Sequence, residues 1–167
     1  MTALSSRAID TGGAAFVFND LNKRGNHCHM QTTFNLGEAE ARLAIDACVA
    51  ELKKRSKAGV VAVGDSHGEL LALWRTDGCA LPPIVIAQNK VYTAARVCGP
   101  SGDLGRNAQA DGSDVHYHGD SRYVGWDGGA PVMFQGQCLG AVAVSGLSGV
   151  EDLEIARVGI DAILASL

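Results

Sequence analysis

Residues 127–159 read DGGAPVMFQGQCLGAVAVSGLSGVEDLEIARVG, and this stretch is the most informative segment of the chain. Two short apolar runs, at residues 132–134 and 138–144, are typical of β-strands. The glycine-containing connection at residues 135–137 is short enough to join the two runs as a hairpin. The sequence therefore predicts two antiparallel strands that are neighbours in the chain.

A helix is predicted directly after this hairpin. Ser148 stands three residues before Glu151, which is the spacing of a capping box at a helix N-terminus. The residues predicted to form the apolar stripe of this helix are Val150, Leu153, Ala156 and Ile160.

Helices and hairpin strands also alternate in the preceding part of the chain. The prediction is an α+β fold, an antiparallel sheet flanked by helices, because strands outnumber the crossover helices and hairpin connections dominate. The predicted elements are a helix opened by an Asn35–Glu38 capping box, strands at 60–64 and 70–74 around a turn at 65–68, a helix from Pro82-Pro83, a polar loop at 99–112 and an extended piece at 115–118.

These motifs, in this order, resemble the GlcG/HbpS-like family, the haem-degrading domain also found at the C-terminus of PduO-type proteins. The resemblance covers about residues 36–165 and implies a single domain at 36–167, preceded by an added N-terminal arm or hairpin at 1–35. The positions that carry it are Gly128, Gly129 and Pro131, then Gly140, Val144, Ser145 and Gly146, then Asp152, Ala156 and Gly159, with residues 60–78 and 86–94 upstream.

Composition limits the classes of function. The chain has 167 residues, 47% of them hydrophobic, and a formal net charge of −4 without a basic run, which argues against nucleic-acid binding. No export signal or membrane-length apolar run is present, so we expect a cytoplasmic protein whose five cysteines are reduced. No nucleotide-binding fingerprint occurs, so no nucleotide cofactor is expected.

Two His-x-His pairs are the most distinctive polar feature of the sequence. His27 and His29 form one pair, and His116 and His118 form the other. In an extended strand, residues two apart point to the same side, so each pair would present two imidazoles together. Imidazole is a common ligand of transition metals, so all four histidines are candidate ligands of a divalent metal or haem. With Tyr117 between them, His116 and His118 are also candidates for catalytic proton transfer.

Four further residues are candidate ligand contacts. Arg75 has the guanidinium needed to clamp a carboxylate, although a local pair with Asp77 would also explain it. Lys90 suits a bound anion as well as it suits a solvated helix face. Thr93 is implied by the family resemblance, which places this helix near the binding pocket. Ser145 ends a strand at a glycine turn whose N–H groups are suited to an anion.

The sequence leaves three alternatives open, and the third of these is a purely structural or assembly role. The first is an oligomeric small-ligand-binding protein that holds haem or a related planar ligand in a His-lined pocket near a subunit interface. The second is a small enzyme, cofactor-independent or metal-dependent. It would be a lyase or isomerase acting on a small carboxylic acid such as a hydroxylaminobenzoate.

Overall fold

The computed structural model describes residues 32–167, and His27, His29 and most of the predicted arm lie outside this range. The helices are α1 (Glu38–Lys54), α2 (Pro83–Val97), α3 (Ser101–Asp111) and α4 (Gly149–Leu164), with a short 3₁₀ helix at Val115–His118. The strands are β1 (Val60–Asp65), β2 (Leu70–Arg75), β3 (Gly129–Phe134) and β4 (Gln137–Ser145).

The four strands form one antiparallel sheet in the order β2-β1-β4-β3, which confirms the predicted α+β class. The β3–β4 hairpin turns at Gln135 and Gly136, which have φ values of 48° and 78°. Two successive positive φ values are the geometry of a type I′ turn, whose twist matches that of the flanking strands.

Both faces of the sheet are covered, and the two faces differ in side-chain size. One face packs against α1 and α4 through valines and larger aliphatic residues, whereas the other packs mainly alanines against α2. Small residues let α2 lie close to the sheet. The central strands alternate between the faces: Val61, Val63, Val142 and Val144 face α1 and α4, and Val60, Ala62, Ala141 and Ala143 face α2.

Gly159 explains how α1 and α4 come so close together. A Cβ at this position would lie 2.6 Å from the Cys48 Sγ and 3.2 Å from the Ala44 carbonyl oxygen. Real Cβ atoms do not approach other atoms to 2.6 Å, so only glycine fits without moving one helix. The glycine in the family's A-x-x-G motif is therefore a packing residue.

Three local predictions were wrong. Residues 99–112 are mostly helix α3 rather than a loop, because Gly102 and Gly105, poor helix formers, pack against a neighbouring segment. The first helix begins after Gly37, whose N–H donates to the Glu40 carboxylate at 2.8 Å, rather than at an Asn35–Glu38 box. Val150 is 67% exposed, because it lies in the first turn of α4 beyond the sheet.

A fourth correction concerns the second histidine pair. Val115–His118 is a 3₁₀ helix, not an extended strand. Asp114 caps it, since its carboxylate accepts from the His116 N–H at 2.9 Å. At three residues per turn, side chains two apart point about 120° away from each other, so His116 and His118 do not share a side.

No helix within residues 32–167 combines the length and the hydrophobicity that crossing a membrane requires.

Candidate functional site

A cleft of about 520 Å³ opens where α2, the chain before β3 and the β4–α4 junction meet. We call it the α2–α4 cleft. Its volume lies in the range of about 300–1,000 Å³ typical of small-molecule sites. Its lining residues are Pro83, Ile86, Lys90, Gly125, Trp126, Asp127, Ser145, Gly146, Leu147, Gly149 and Asp152.

A buried ion pair forms the floor of the cleft. Lys90 and Asp152 are each 2% exposed, and Lys90 Nζ donates to Asp152 Oδ2 at 2.8 Å and to the Val144 carbonyl oxygen at 2.9 Å. The Leu147 N–H donates to the other Asp152 oxygen at 3.1 Å. Lys90 is therefore neither a solvated helix charge nor a free cation, because its charge is already neutralised within the fold.

Burial and pairing act on the Asp152 carboxyl in opposite directions. Burial raises its pKa because a low-dielectric environment disfavours the charged form, and the Lys90 ammonium and the Leu147 N–H lower it. Burial is the larger effect, so the pKa lies above its usual value. A carboxyl with a raised pKa at the floor of a cleft can exchange a proton at milder acidity than an exposed one.

Gly128 makes room for this pair. Its φ of 119° is a left-handed conformation that L side chains rarely adopt, and a Cβ there would lie 2.6 Å from both Lys90 Nζ and the Val144 oxygen. The glycine pair at 128 and 129 is thus tied to the ion pair as well as to the start of β3.

Helix α3, which the sequence did not predict, positions one wall of the cleft. Ser101 Oγ donates to the Trp126 carbonyl oxygen and accepts from the Gly129 N–H. Arg106 Nη1 donates to both Asp127 carboxylate oxygens, at 3.0 and 2.9 Å. Gly105 approaches the backbone of Gly125 so closely that a Cβ there would lie 2.4 Å from the Gly125 oxygen.

Two lining residues have groups free to meet a ligand. Trp126 is 62% exposed although its backbone is fixed, so its indole offers a flat apolar surface. Ser145 is 4% exposed, and within residues 32–167 its hydroxyl makes no hydrogen bond to another group. Trp126 was missed in the sequence, because its polar, glycine-rich surroundings predicted neither a strand nor a pocket.

Thr93 lies one turn beyond Lys90 on α2 and is fully buried. Its hydroxyl accepts from the Val124 N–H at 2.9 Å and lies 3.5 Å from the Arg122 carbonyl oxygen. Thr93 therefore fixes the segment that leads into the cleft wall and is not among the lining residues.

A partly exposed stack, built on the buried residue Tyr92, lies beside Thr93, and we call it the Tyr92 stack. The Tyr92 hydroxyl donates to Asp120 at 2.8 Å, and the Arg96 and Arg122 guanidiniums lie 4.3 and 3.8 Å from the Tyr92 ring centre. Hydrogen bonds from Arg122, more than that from Tyr92, hold the pKa of the Asp120 carboxyl well below its usual range. No pattern in the sequence indicated Tyr92 or Arg122 as members of a cluster.

The second histidine pair lies in solvent rather than in the cleft. The His116 side chain is 72% exposed, with Nδ1 2.6 Å from Asp114 Oδ1. Tyr117 is 80% exposed, and the His118 ring packs on Tyr123 with 4.7 Å between centres. Within residues 32–167, no group of three or more His, Cys, Asp or Glu side chains could hold a metal ion.

Arg75 lies at the same end of the sheet as Ser145 but does not line the cleft. Val60 pairs with Arg75 on one side and with Ser145 on the other, so Arg75 and Ser145 are two strands apart on one face. Within the part of the chain that the structure describes, Arg75 forms no ion pair, with Asp77 or with any other carboxylate.

A second groove, of about 560 Å³, lies between α1 and the edge strand β2. It contains no buried polar group, and two of its charged residues, Glu38 and Arg42, pair with each other at 3.2 Å in solvent. The α2–α4 cleft is the better candidate because it combines a buried ion pair, a free hydroxyl and an exposed aromatic ring.

Comparison with known proteins places the fold in a defined class. Residues 36–161 match the family described as "Haem degrading protein HbpS-like". The chain belongs to this HbpS-like family, as the resemblance in the sequence had predicted.

Individual relatives agree with this assignment. Protein GlcG of Escherichia coli strain K12 is 35% identical over 122 residues, which cover 70% of this chain and 85% of GlcG. Klebsiella pneumoniae protein ORFY superposes with a TM-score of 0.75 at 25% identity, over 81% of this chain and 95% of ORFY. A PduOC:haem complex has the same fold, with a TM-score of 0.70 at 24% identity over 77% of this chain and 94% of PduOC.

Proposed function

We propose that this protein binds haem or a related planar ligand in the α2–α4 cleft. Family membership supports the class of ligand, since the family is described as haem-degrading and a protein of the same fold has been crystallised with haem. The observation that carries the choice of site is the exposed indole of Trp126 at a cleft of about 520 Å³.

The lining of the cleft suits a flat molecule with polar substituents. Trp126 offers a ring face for stacking, and Ile86 and Leu147 supply apolar surface. The Ser145 hydroxyl and the backbone at Gly146 are polar groups at the strand end, suited to a carboxylate or carbonyl oxygen. Lys90 contributes no net positive charge, because Asp152 neutralises it.

The described lining fits the ring of haem better than its iron. None of the cleft-lining residues in 32–167 is a histidine, a cysteine or a methionine. We therefore assign recognition to the ring and its substituents and no iron ligand to this lining. When bound, haem would supply iron redox chemistry, and Trp126 and Ser145 would hold and orient its ring.

A titration with two porphyrins tests this proposal. Protoporphyrin IX without iron should bind with an affinity within about threefold of that of haem, because the contacts are made to the ring. Trp126→Ala should weaken both ligands by about tenfold, the value of one aromatic contact. Absorbance of the porphyrin near its Soret maximum measures both affinities.

Trp74→Ala is the matched control, because Trp74 is the other tryptophan of the chain and is similarly exposed, at 55%, on edge strand β2. It should leave both affinities unchanged. Haem binding that is much tighter than porphyrin binding, and that is lost on His27→Ala or His29→Ala, would contradict the proposal and favour histidine ligation.

A second function is favoured by the Lys90–Asp152 pair. A carboxyl with a raised pKa that lines the same cleft as the Ser145 hydroxyl is suited to proton transfer on a small carboxylic acid, as in a lyase or isomerase. Incubation of the purified protein with a hydroxylaminobenzoate, followed by product chromatography, tests it. Turnover that Asp152→Asn abolishes while the protein stays folded would establish this function.

We also propose that the protein is a homo-oligomer whose ligand-binding domain is residues 36–167, with residues 1–35 as an added arm. Support for assembly comes from edge strand β2, on which Leu70, Leu71 and Trp74 are 40–55% exposed. An exposed apolar edge strand is otherwise an aggregation hazard. Light scattering after size exclusion measures the assembly, and a monomer at micromolar concentration would contradict it.

A further inference from the structure

Two cysteines far apart in sequence lie side by side at the end of α2. Cys98 is the C-cap of α2, and Cys138 is near the start of β4. Their thiols share one acceptor, the Ala95 carbonyl oxygen, at 3.5 Å from Cys98 Sγ and 3.6 Å from Cys138 Sγ. The Cys98 N–H also points at this oxygen.

In this arrangement neither thiol makes a strong hydrogen bond. A carbonyl oxygen has two lone pairs, so three donors cannot all bond well to it. Cys138 has an alternative acceptor, the Gly140 carbonyl oxygen at 3.4 Å. The two sulfur atoms are therefore neighbours that no strong hydrogen bond keeps apart.

The backbone at Cys98 points to a role for its side chain. Its φ of 50° and ψ of 39° are in the left-handed region. Glycine is the usual residue at this position after a helix, because it has no Cβ to clash. A cysteine here is a less stable choice than glycine, and packing does not explain it, because Cys98 is exposed.

The two thiols differ in a way that suits sequential reaction. Cys98 is open to solvent, whereas Cys138 is partly buried, and burial raises the pKa of the Cys138 thiol to about 11, with a smaller contribution from Cys98 beside it. The exposed thiol is available to a reagent in solution. The sheltered thiol is placed to react only with what is attached to Cys98.

We propose that Cys98 and Cys138 form a reversible dithiol–disulfide couple that exchanges with low-molecular-weight disulfides. The Cys98 thiolate attacks one sulfur of the small disulfide, whose S–S bond breaks and releases the first small thiolate. The Cys138 thiolate then attacks Cys98 Sγ, and the second small thiolate leaves. Each leaving thiolate takes up one proton, so two protein thiols are oxidised and one small disulfide is reduced to two thiols.

Oxidation would act on the cleft through the loop that it closes. The segment between the two cysteines contains α3, the 3₁₀ helix and β3, and it includes Gly125, Trp126 and Asp127 of the cleft wall. Joining its ends shrinks the unfolded ensemble and ties the end of α2 to β4. The oxidised protein should therefore melt about 5 °C or more above the reduced protein.

Peptide mapping of the full-length protein tests the proposal. The protein is incubated with oxidised glutathione at pH 8, its remaining thiols are alkylated, and it is digested without reduction. We expect a Cys98–Cys138 linked peptide, loss of two of the five thiols, and no retained glutathione. Cys138→Ser should instead retain one glutathione per chain on Cys98, because the second attack is missing.

Two variants control for folding and for general thiol reactivity. Cys98→Gly suits the left-handed backbone, so it should fold and give no linked peptide. Cys79→Ser removes a partly buried thiol outside the pair and should behave like the wild type. Three results would overturn the proposal: wild-type protein that keeps glutathione on Cys98, a link from Cys98 to another cysteine, or wild-type protein that does not react.

Discussion

Two polar clusters include residues of α2 that lie within one turn of each other, Lys90 and Tyr92, and the clusters differ in how far their charged groups are buried. The Lys90–Asp152 pair is almost completely buried, and each of its polar atoms is satisfied by a precise partner. The Tyr92 stack lies at the surface: Tyr92 itself is only 4% exposed, but the side chains of its charged members Arg122 and Asp120 are 45% and 30% exposed. Removing one partner of a buried pair leaves an uncompensated charge, whereas an exposed group is solvated by water.

The residues that the sequence indicates as the chemical centre are therefore not the ones that line the cleft. The histidines look like the chemical centre in the sequence, but His116 and His118 belong to the exposed region. The buried region is built from one lysine and one aspartate that are distant in sequence, and it forms the floor of the cleft.

Breaking the buried pair should have the largest effect. Lys90→Met leaves the Asp152 carboxylate buried without its cation, so we expect a loss of about 3–5 kcal/mol in the free energy of unfolding. The double variant Lys90→Met with Asp152→Leu removes both charges and should lose clearly less. Urea unfolding measures both free energies. A Lys90→Met protein whose free energy of unfolding lies within about 1 kcal/mol of the wild-type value would contradict the claim that the buried pair is the more important of the two clusters for stability.

Gly128→Ala should follow, with an expected loss of about 2–3 kcal/mol, because the added Cβ meets Lys90 Nζ and the Val144 oxygen in a left-handed backbone. Gly136→Ala is the matched control, since its φ of 78° is also positive but nothing lies within 4 Å of its Cβ position. The control should lose only about 1 kcal/mol, the cost of the backbone conformation alone. Equal losses would show that crowding at the ion pair is not limiting.

The Tyr92 stack should appear in the pH dependence of stability. Because the folded pKa of Asp120 is depressed, its contribution is present above its ordinary pKa of about 4 and is lost as the pH falls below that value. Asp120→Asn should flatten the fall in unfolding free energy between pH 5 and pH 3. Urea unfolding at these two pH values checks this. An unchanged dependence of the unfolding free energy on pH in the Asp120→Asn protein would show that Asp120 does not cause it.

The smallest effect is expected in the 3₁₀ helix. Tyr117→Ala and His116→Ala remove exposed side chains, so the free energy of unfolding should change by less than about 0.5 kcal/mol. Zinc added to the wild type should also leave the melting temperature unchanged. A zinc-dependent rise in melting temperature that His116→Ala abolishes would support the metal site predicted from the paired histidines.

The sequence predicted the parts of the fold that depend on local signals. The hairpin predicted around residues 135–137 and the Ser148–Glu151 capping box are both present, because each needs only residues close together in the chain. Helix α3 was not predicted because glycine has a low helix propensity. Its stability comes instead from tertiary packing of Gly102 and Gly105 on residues 125–127, which the sequence does not show.

The site was less predictable for the same reason. Lys90 and Ser145 were predicted as ligand contacts, and both line the cleft. The ion pair between Lys90 and Asp152, 62 residues apart in the sequence, is visible only in the three-dimensional structure. The conclusion that His116 and His118 share a side assumed an extended backbone, and the Asp114 cap changed that backbone. Thr93 was linked to the site by resemblance, and it acts on the segment that forms the wall.

The most direct test of the account compares the two regions with one ligand. The dissociation constant of iron-free protoporphyrin IX is measured by absorbance titration for the wild type, Trp126→Ala and His118→Ala under identical conditions. We expect about a tenfold rise for Trp126→Ala and less than about a twofold change for His118→Ala. A large rise for His118→Ala with none for Trp126→Ala would contradict it and place the ligand at the exposed histidines.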